Sequence, residues 1–105
     1  MTNRTKVALA ALALTTFSSS AIAGGKEAFE AAKCGQCHGV KSQSIVAEKS
    51  GMGSDLSQAG TKHDAKFYEQ YLKKEIDLDG KKHIKKFSGS DDELKVVIDW
   101  MMTLK

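Results

Sequence analysis

Three segments of the chain carry apolar residues at helical spacing, separated by polar stretches rich in glycine, serine or lysine. Residues 26–33 contain several apolar side chains and no helix breaker, so they predict a first short helix. Residues 39–60 are rich in serine and glycine and predict a loop. After this loop, Thr61 followed by Asp64 can cap a second helix, because an apolar face comes next. That face consists of Phe67, Tyr68, Tyr71 and Leu72.

The C-terminal segment opens with Ser90-Asp91-Asp92-Glu93, a capping box with acidic residues in the first helical turn. Behind it, one apolar stripe predicts a buried helix face that runs to about residue 104, with Trp100 at its edge. Residues 77–89 predict a lysine-rich loop, and no segment predicts a strand. The pattern therefore predicts a compact all-α domain. The stripe consists of Leu94, Val97, Ile98, Met101 and Leu104.

The first 23 residues have the order of a secretory signal peptide. Arg4 and Lys6 precede an apolar run over residues 7–14, and Ala21-Ile22-Ala23 provides a small-residue cleavage site. The apolar run is too short to span a bilayer stably, although an uncleaved amphipathic anchor is the alternative. We expect residues 1–23 to be removed, leaving a periplasmic domain over residues 24–105 without a stable membrane anchor.

Charge does not point to a nucleic-acid partner. The chain has 16 basic and 13 acidic side chains, which give a formal charge of +3. Arg4 and Lys6 belong to the predicted signal peptide, so the remaining domain is close to neutral. A domain of this size buries a modest share of its surface, and a bound apolar group would complete its core.

The two cysteines of the chain lie together in Cys34-Gly35-Gln36-Cys37-His38. A disulfide across so short a loop would restrain little chain, and a thioredoxin-like pair would need neighbouring strands that the pattern does not predict. A zinc site would need two more ligands, and His63 and His83 are too far apart to resemble a zinc-finger pair. The histidine directly after the second cysteine favours covalent attachment of one c-type haem.

The spacing of this motif suits the chemistry of attachment. The thiols of Cys34 and Cys37 add across two vinyl groups on one edge of the porphyrin, which anchors the backbone against the ring. The neighbouring imidazole of His38 then lies over the iron and supplies its proximal ligand.

With these elements in place, residues 24–105 resemble a class I cytochrome c. A helix leads into the Cys-x-x-Cys-His motif, Asp55-Leu56-Ser57-Gln58-Ala59-Gly60 precedes the middle helix, and a Phe87-Ser88-Gly89 corner precedes the last one. The resemblance implies three to four short helices around one covalently bound haem c. It also implies that the first and last helices cross, with Phe29 against Trp100.

The sequence departs from this family where the distal iron ligand is expected. Most class I members place a methionine beside a proline in the loop before the last helix. Residues 80–89 read Gly-Lys-Lys-His-Ile-Lys-Lys-Phe-Ser-Gly and contain neither. His83 stands where the methionine would be expected, so we expect an iron with two histidine ligands.

Other distal ligands remain open at this point. Met52 lies in a glycine-rich loop and could reach the iron, and the position could also be empty or weakly bound. Met101 and Met102 lie inside the last helix, where methionine is normally core filler. His63, near the start of the middle helix, has the position of a surface histidine.

No acid–base pair or nucleophile accompanies the motif, so we expect an electron carrier and not an enzyme. Four lysines flank His83, and they favour electrostatic docking to an acidic redox partner. A haem-based sensor of carbon monoxide or nitric oxide and a haem subunit of a larger oxidoreductase are the alternatives. The four lysines are Lys81, Lys82, Lys85 and Lys86.

Overall fold

A computed structural model describes residues 24–105; the predicted signal peptide at residues 1–23 lies outside the described part. Within residues 24–105 the regular elements are helices, and two isolated bridges are the only β pairing. The predicted all-α class is confirmed. None of the helices in this part of the chain is long and apolar enough to cross a membrane. The elements are α1 (Gly25–Ala31), 3₁₀ turns at Cys34–Gln36 and Lys41–Gln43, α2 (Ala59–Lys62), α3 (Ala65–Leu72) and α4 (Asp91–Met102).

The crossing of α1 and α4 forms the centre of the fold. Phe29 of α1 is fully buried, and its ring centroid lies 5.3 Å from that of Trp100 on α4. The expected contact between these two aromatic side chains is confirmed. Gly25 brings the helices together at the other end of α1, because a β-carbon there would lie 1.9 Å from the Trp100 β-carbon. The five residues of the predicted α4 stripe are all buried.

Local hydrogen bonds explain where the last two helices begin. The Asp64 carboxylate accepts a bond from the Phe67 backbone N–H at 2.8 Å and so caps α3. The Ser90 hydroxyl accepts from the Glu93 backbone N–H at 3.2 Å and caps α4, as the capping box predicts.

Two boundaries, at α2 and at the end of α4, differ from the prediction. Thr61 lies inside the separate helix α2 and caps nothing, because the Gly60 N–H donates to the Leu104 carbonyl at 2.8 Å and pins α2 against the chain end. Helix α4 ends at Met102, two residues before the expected position. The Thr103 hydroxyl turns back to the Trp100 carbonyl there.

Candidate functional site

An apolar cavity of about 220 Å³ lies beside the α1–α4 crossing. Three histidines line it: His38 and His83 from two separate loops, and His63 from the residue after α2. Cys34 lines it from the 3₁₀ turn after α1. Most of the remaining wall is aromatic or aliphatic, which suits a flat apolar group. The apolar wall residues include Phe29, Leu56, Phe67, Tyr68, Tyr71, Leu72, Leu78, Val97 and Met101.

His38 has one ring nitrogen engaged and the other free for a ligand. Its Nδ1 lies 2.7 Å from the Ser54 carbonyl oxygen. A carbonyl can only accept, so Nδ1 carries the proton and donates it. The Nε2 atom therefore keeps its lone pair, and a backbone acceptor of this kind is the usual partner that orients a metal-binding imidazole.

His83 has the same arrangement. Its Nδ1 donates to the Lys85 carbonyl oxygen at 2.5 Å, which again leaves the Nε2 lone pair available. Burial lowers the pKa of His83 below its ordinary value, against the opposing effect of that hydrogen bond. The neutral imidazole, which is the form that binds a metal, is favoured as a result.

The two imidazoles are parallel, with an interplanar angle of 11° and ring centroids 6.1 Å apart. A bond between a metal ion and an imidazole nitrogen is about 2 Å long, so two imidazoles on opposite sides of one ion place their Nε2 atoms about 4 Å apart. Their ring centroids are then roughly 6 Å apart, since each lies about 1 Å behind its Nε2 atom. The observed spacing therefore fits a single ion between the two rings.

The cysteine turn places Cys34, but not Cys37, in the wall of the same cavity. The Cys37 and His38 backbone N–H groups both donate to the Cys34 carbonyl, at 3.2 and 3.0 Å, and so close a tight turn. Both cysteines have free thiols and do not pair as a disulfide. Burial raises the pKa of the Cys34 thiol above its ordinary value. Cys37 is half-buried at the end of the turn.

The segment around Met52 packs beside the ring of His38. Met52 is 54% exposed and is not part of the cavity wall. The adjoining residues contact the Nδ1 edge of His38: the Ser54 carbonyl accepts its proton, and Gly53 packs against the same ring. Cε1, the His38 atom nearest to Gly53, is bonded to both ring nitrogens, and Ser54 lines the cavity. The segment therefore borders the site, while the Met52 side chain lies outside the cavity wall.

His63, expected to be a surface residue, is half-buried and lines the cavity. Its ring stacks on Phe67 with the centroids 3.9 Å apart. Met101 is buried in α4, where core packing was expected. The edge of Tyr71 meets the ring of His83 at a centroid distance of 5.3 Å and an angle of 70°.

Asp55 ties together the loops on the His38 side of the cavity. Its two carboxylate oxygens accept bonds from the backbone N–H groups of Lys41 and Ser57, each at 2.9 Å. Hydrogen bonding, first from the Ser57 side chain and then from these backbone groups, lowers the pKa of Asp55. The carboxylate thereby holds the segment that carries the Ser54 carbonyl.

The family model of cytochrome c matches residues 22–105. The chain belongs to the cytochrome c family. The resemblance to class I c-type cytochromes is confirmed, and the cofactor of this cytochrome c is one covalently bound haem c. No individual curated protein and no solved structure matches the chain.

The cavity fits this cofactor. Among residues 24–105, no group of three or more His, Cys, Asp or Glu side chains could bind a metal ion by itself. His38, His83 and the apolar wall are the residues that would hold a haem in this cavity. When bound, the haem takes up and releases one electron at its iron, so this cytochrome c is an electron-carrying domain.

The sequence could not reveal the backbone acceptors of this site. The backbone carbonyls of Ser54 and Lys85 orient the two imidazoles. Every residue type has such a carbonyl, so the identity of these two residues gives no signal in the sequence. Only the pattern of residues that shapes each loop could hint at them. Gly53 is the one residue of this segment whose type could have pointed to the contact with His38, since a glycine can mark a close approach of the backbone.

We expect Asp55→Asn to lower the stability of the folded domain at neutral pH, because an amide nitrogen cannot accept one of the two backbone bonds. The pKa of Asp55 is lower in the folded than in the unfolded state, so its stabilising effect is present above about pH 4 and is lost as the pH falls through the folded value. The Tm of the wild type should therefore fall as the pH is lowered below about 4. The Tm of Asp55→Asn should fall less over the same pH range. Asp99→Asn, at an exposed carboxylate on α4, is the control and should retain the full dependence.

Proposed function

We propose that this protein is a soluble periplasmic single-electron carrier whose haem iron is ligated by His38 and His83. The observation that carries this proposal is the parallel pair of imidazoles, 6.1 Å apart, with both Nδ1 atoms donating to backbone carbonyls. Export is supported by the signal-peptide pattern of residues 1–23. Its role is transfer of electrons and not conversion of a substrate.

Cys34 and Cys37 form the thioether bonds in this proposal. The support is their free thiols, the tight turn that joins them to His38 and the position of Cys34 in the cavity wall. Backbone N–H groups of Glu48 and Lys49 donate to the carbonyls of the two intervening residues, at 2.9 and 2.8 Å, and steady this turn. The covalent anchor thus rests on a braced segment.

His83 is preferred over Met52 as the distal ligand. The support is that the ring of His83 lies parallel to His38 in the cavity wall, whereas the Met52 side chain is exposed and lies outside that wall. Two imidazoles give a lower reduction potential than an imidazole and a thioether, so the carrier works at the low-potential end of its family.

The contacts of the two imidazoles also limit their movement when the haem is oxidised or reduced. Both imidazoles are held at Nδ1 by backbone atoms, and Tyr71 packs its edge on the ring of His83. The apolar wall, which includes Phe29 and Val97, keeps water away from the charge. A rigid, dry site of this kind suits repeated transfer of single electrons.

Spectroscopy of the purified holoprotein tests this proposal. We expect a mass equal to residues 24–105 plus one haem, a reversible redox titration with a one-electron slope, and no near-infrared band from methionine ligation in the oxidised state. Parallel imidazole planes should give a rhombic low-spin electron paramagnetic resonance spectrum. A methionine band would contradict the ligand assignment, and a colourless product would contradict the function.

We propose that the redox partner is an acidic protein that docks on the loop of His83. Four exposed lysines surround Ile84, whose side chain is 80% exposed and directly follows the candidate ligand. The amino group of Lys74 donates to the Ile84 carbonyl at 3.4 Å and adds a further positive charge. An exposed apolar residue within a charged rim is the arrangement of many docking surfaces.

Electron transfer from flavodoxin, an acidic flavoprotein, tests this surface. Its bimolecular rate with the wild type should fall about tenfold as ionic strength rises from about 0.01 to 0.2 M, because salt screens the attraction. Ile84→Ser should slow the reaction roughly fivefold at each salt concentration by removing the apolar contact. Val46→Ser, at an 87% exposed position on another loop, is the matched control and should react as the wild type does. A rate indifferent to salt would refute docking at the lysines.

A further inference from the structure

Gly53 packs closely against the imidazole of His38. A β-carbon placed on Gly53 would lie 2.6 Å from Cε1 and 2.7 Å from Nδ1 of His38, and 2.8 Å from the Cys37 carbonyl oxygen. Carbon atoms that are not bonded need about 3.5 Å or more. No side chain other than hydrogen fits at this position while the loop keeps its present place.

The same loop supplies the acceptor of the His38 proton. The Ser54 carbonyl, one residue after Gly53, lies 2.7 Å from Nδ1 of His38. The Cys37 carbonyl and the His38 ring, which an added β-carbon at residue 53 would touch, cannot easily move away. The carbonyl belongs to the backbone, and His38 is held by the cysteine turn. An added methyl group would therefore push the loop outward and stretch the bond between Ser54 and His38.

We propose that Gly53 is a positioning residue that sets the strength of the hydrogen bond from His38 to Ser54 and, through it, the reduction potential of the haem. This inference rests on the proposed function, since it takes His38 as an iron ligand. A strong bond from Nδ1 gives the imidazole more electron density and stabilises the oxidised iron. Weakening this bond must favour reduction and raise the potential.

The experiment compares Gly53→Ala with Gly35→Ala. Gly35 lies in the cysteine turn, and the nearest atom to a β-carbon there is 3.7 Å away on Phe29, so the same methyl group fits without displacement. Redox titration should show that Gly53→Ala shifts the one-electron equilibrium toward the reduced state about tenfold, a rise of about 59 mV. Gly35→Ala should titrate as the wild type.

Proton magnetic resonance of the reduced low-spin protein gives a second readout that does not require the variant to fold. In the wild type, an α-proton of Gly53 should show a strong nuclear Overhauser effect to the Hε1 proton of His38, and the Nδ1 proton should exchange slowly with solvent. In Gly53→Ala that proton should move upfield and exchange faster. Absence of the wild-type effect would overturn the placement of Gly53.

Equal potentials in Gly53→Ala, Gly35→Ala and the wild type would overturn the role of Gly53 alone, provided that all three proteins show six-coordinate low-spin spectra. Failure of the proposed function has a different signature. The wild type itself would then lack that spectrum, or its His38 resonances would lack the large ring-current shifts of an axial ligand.

Discussion

His83→Ala should open the distal position of the haem, because the variant loses the imidazole that faces His38 across the cavity. The reduced variant should bind carbon monoxide, and the oxidised variant cyanide, with apparent affinities on the order of 100-fold above those of the wild type. Such a gain follows from removing an internal ligand that occupies the site nearly all the time. Absorption spectra should also change from low-spin toward high-spin, and the reduction potential should rise.

Two control substitutions test whether the effect comes from disturbing the loop of His83 and whether Met52 is the distal ligand. Lys82→Ala changes an exposed neighbour of His83 and should leave ligand binding at the wild-type level. Met52→Ala removes the competing ligand and should leave the low-spin spectrum intact. A low-spin His83→Ala protein that ignores carbon monoxide, together with a Met52→Ala protein that binds it, would assign the distal position to Met52.

Gly25→Ala should destabilise the folded domain more than any exposed substitution in α1. The new β-carbon would lie 1.9 Å from Cβ and 2.4 Å from Cγ of Trp100, so α1 and α4 would have to separate. Overpacking of this kind costs roughly 3 kcal/mol, and for a domain of this size this corresponds to a fall in Tm of roughly 15 °C. Thermal unfolding of the holoprotein followed by circular dichroism measures the change.

Gly24→Ala is the matched control for this prediction. The position is adjacent, and the atoms near its added methyl group belong to the flexible side chain of Glu27, which can move aside. Its Tm should stay within a few degrees of the wild type. Equal losses in both variants would show that the cost comes from the start of α1 and not from the helix crossing.

Local signals in the sequence were sufficient for much of the fold. The buried stripe of α4 follows the helical period, and the caps at Asp64 and Ser90 use side chains that bond within their own turn. The start of α2 and the early end of α4 were missed. The position of α2 depends on the bond from Gly60 to the Leu104 carbonyl, which joins residues far apart in the chain. At the end of α4, the Thr103 hydroxyl bonds the Trp100 carbonyl, a contact that the apolar pattern does not reveal.

By itself, the sequence determined the cofactor chemistry of this protein, because Cys34, Cys37 and His38 are neighbours whose spacing alone suits attachment of a haem. The sequence also predicted His83 as the distal ligand, because it stands where class I cytochromes c have a methionine. The tertiary structure alone decided which nitrogen of each imidazole is free, how far apart the rings lie and that Met52 is exposed outside the cavity wall. The physical reason is that these features depend on backbone carbonyls and on the absence of a side chain at Gly53, and such groups acquire a partner only when distant segments pack together.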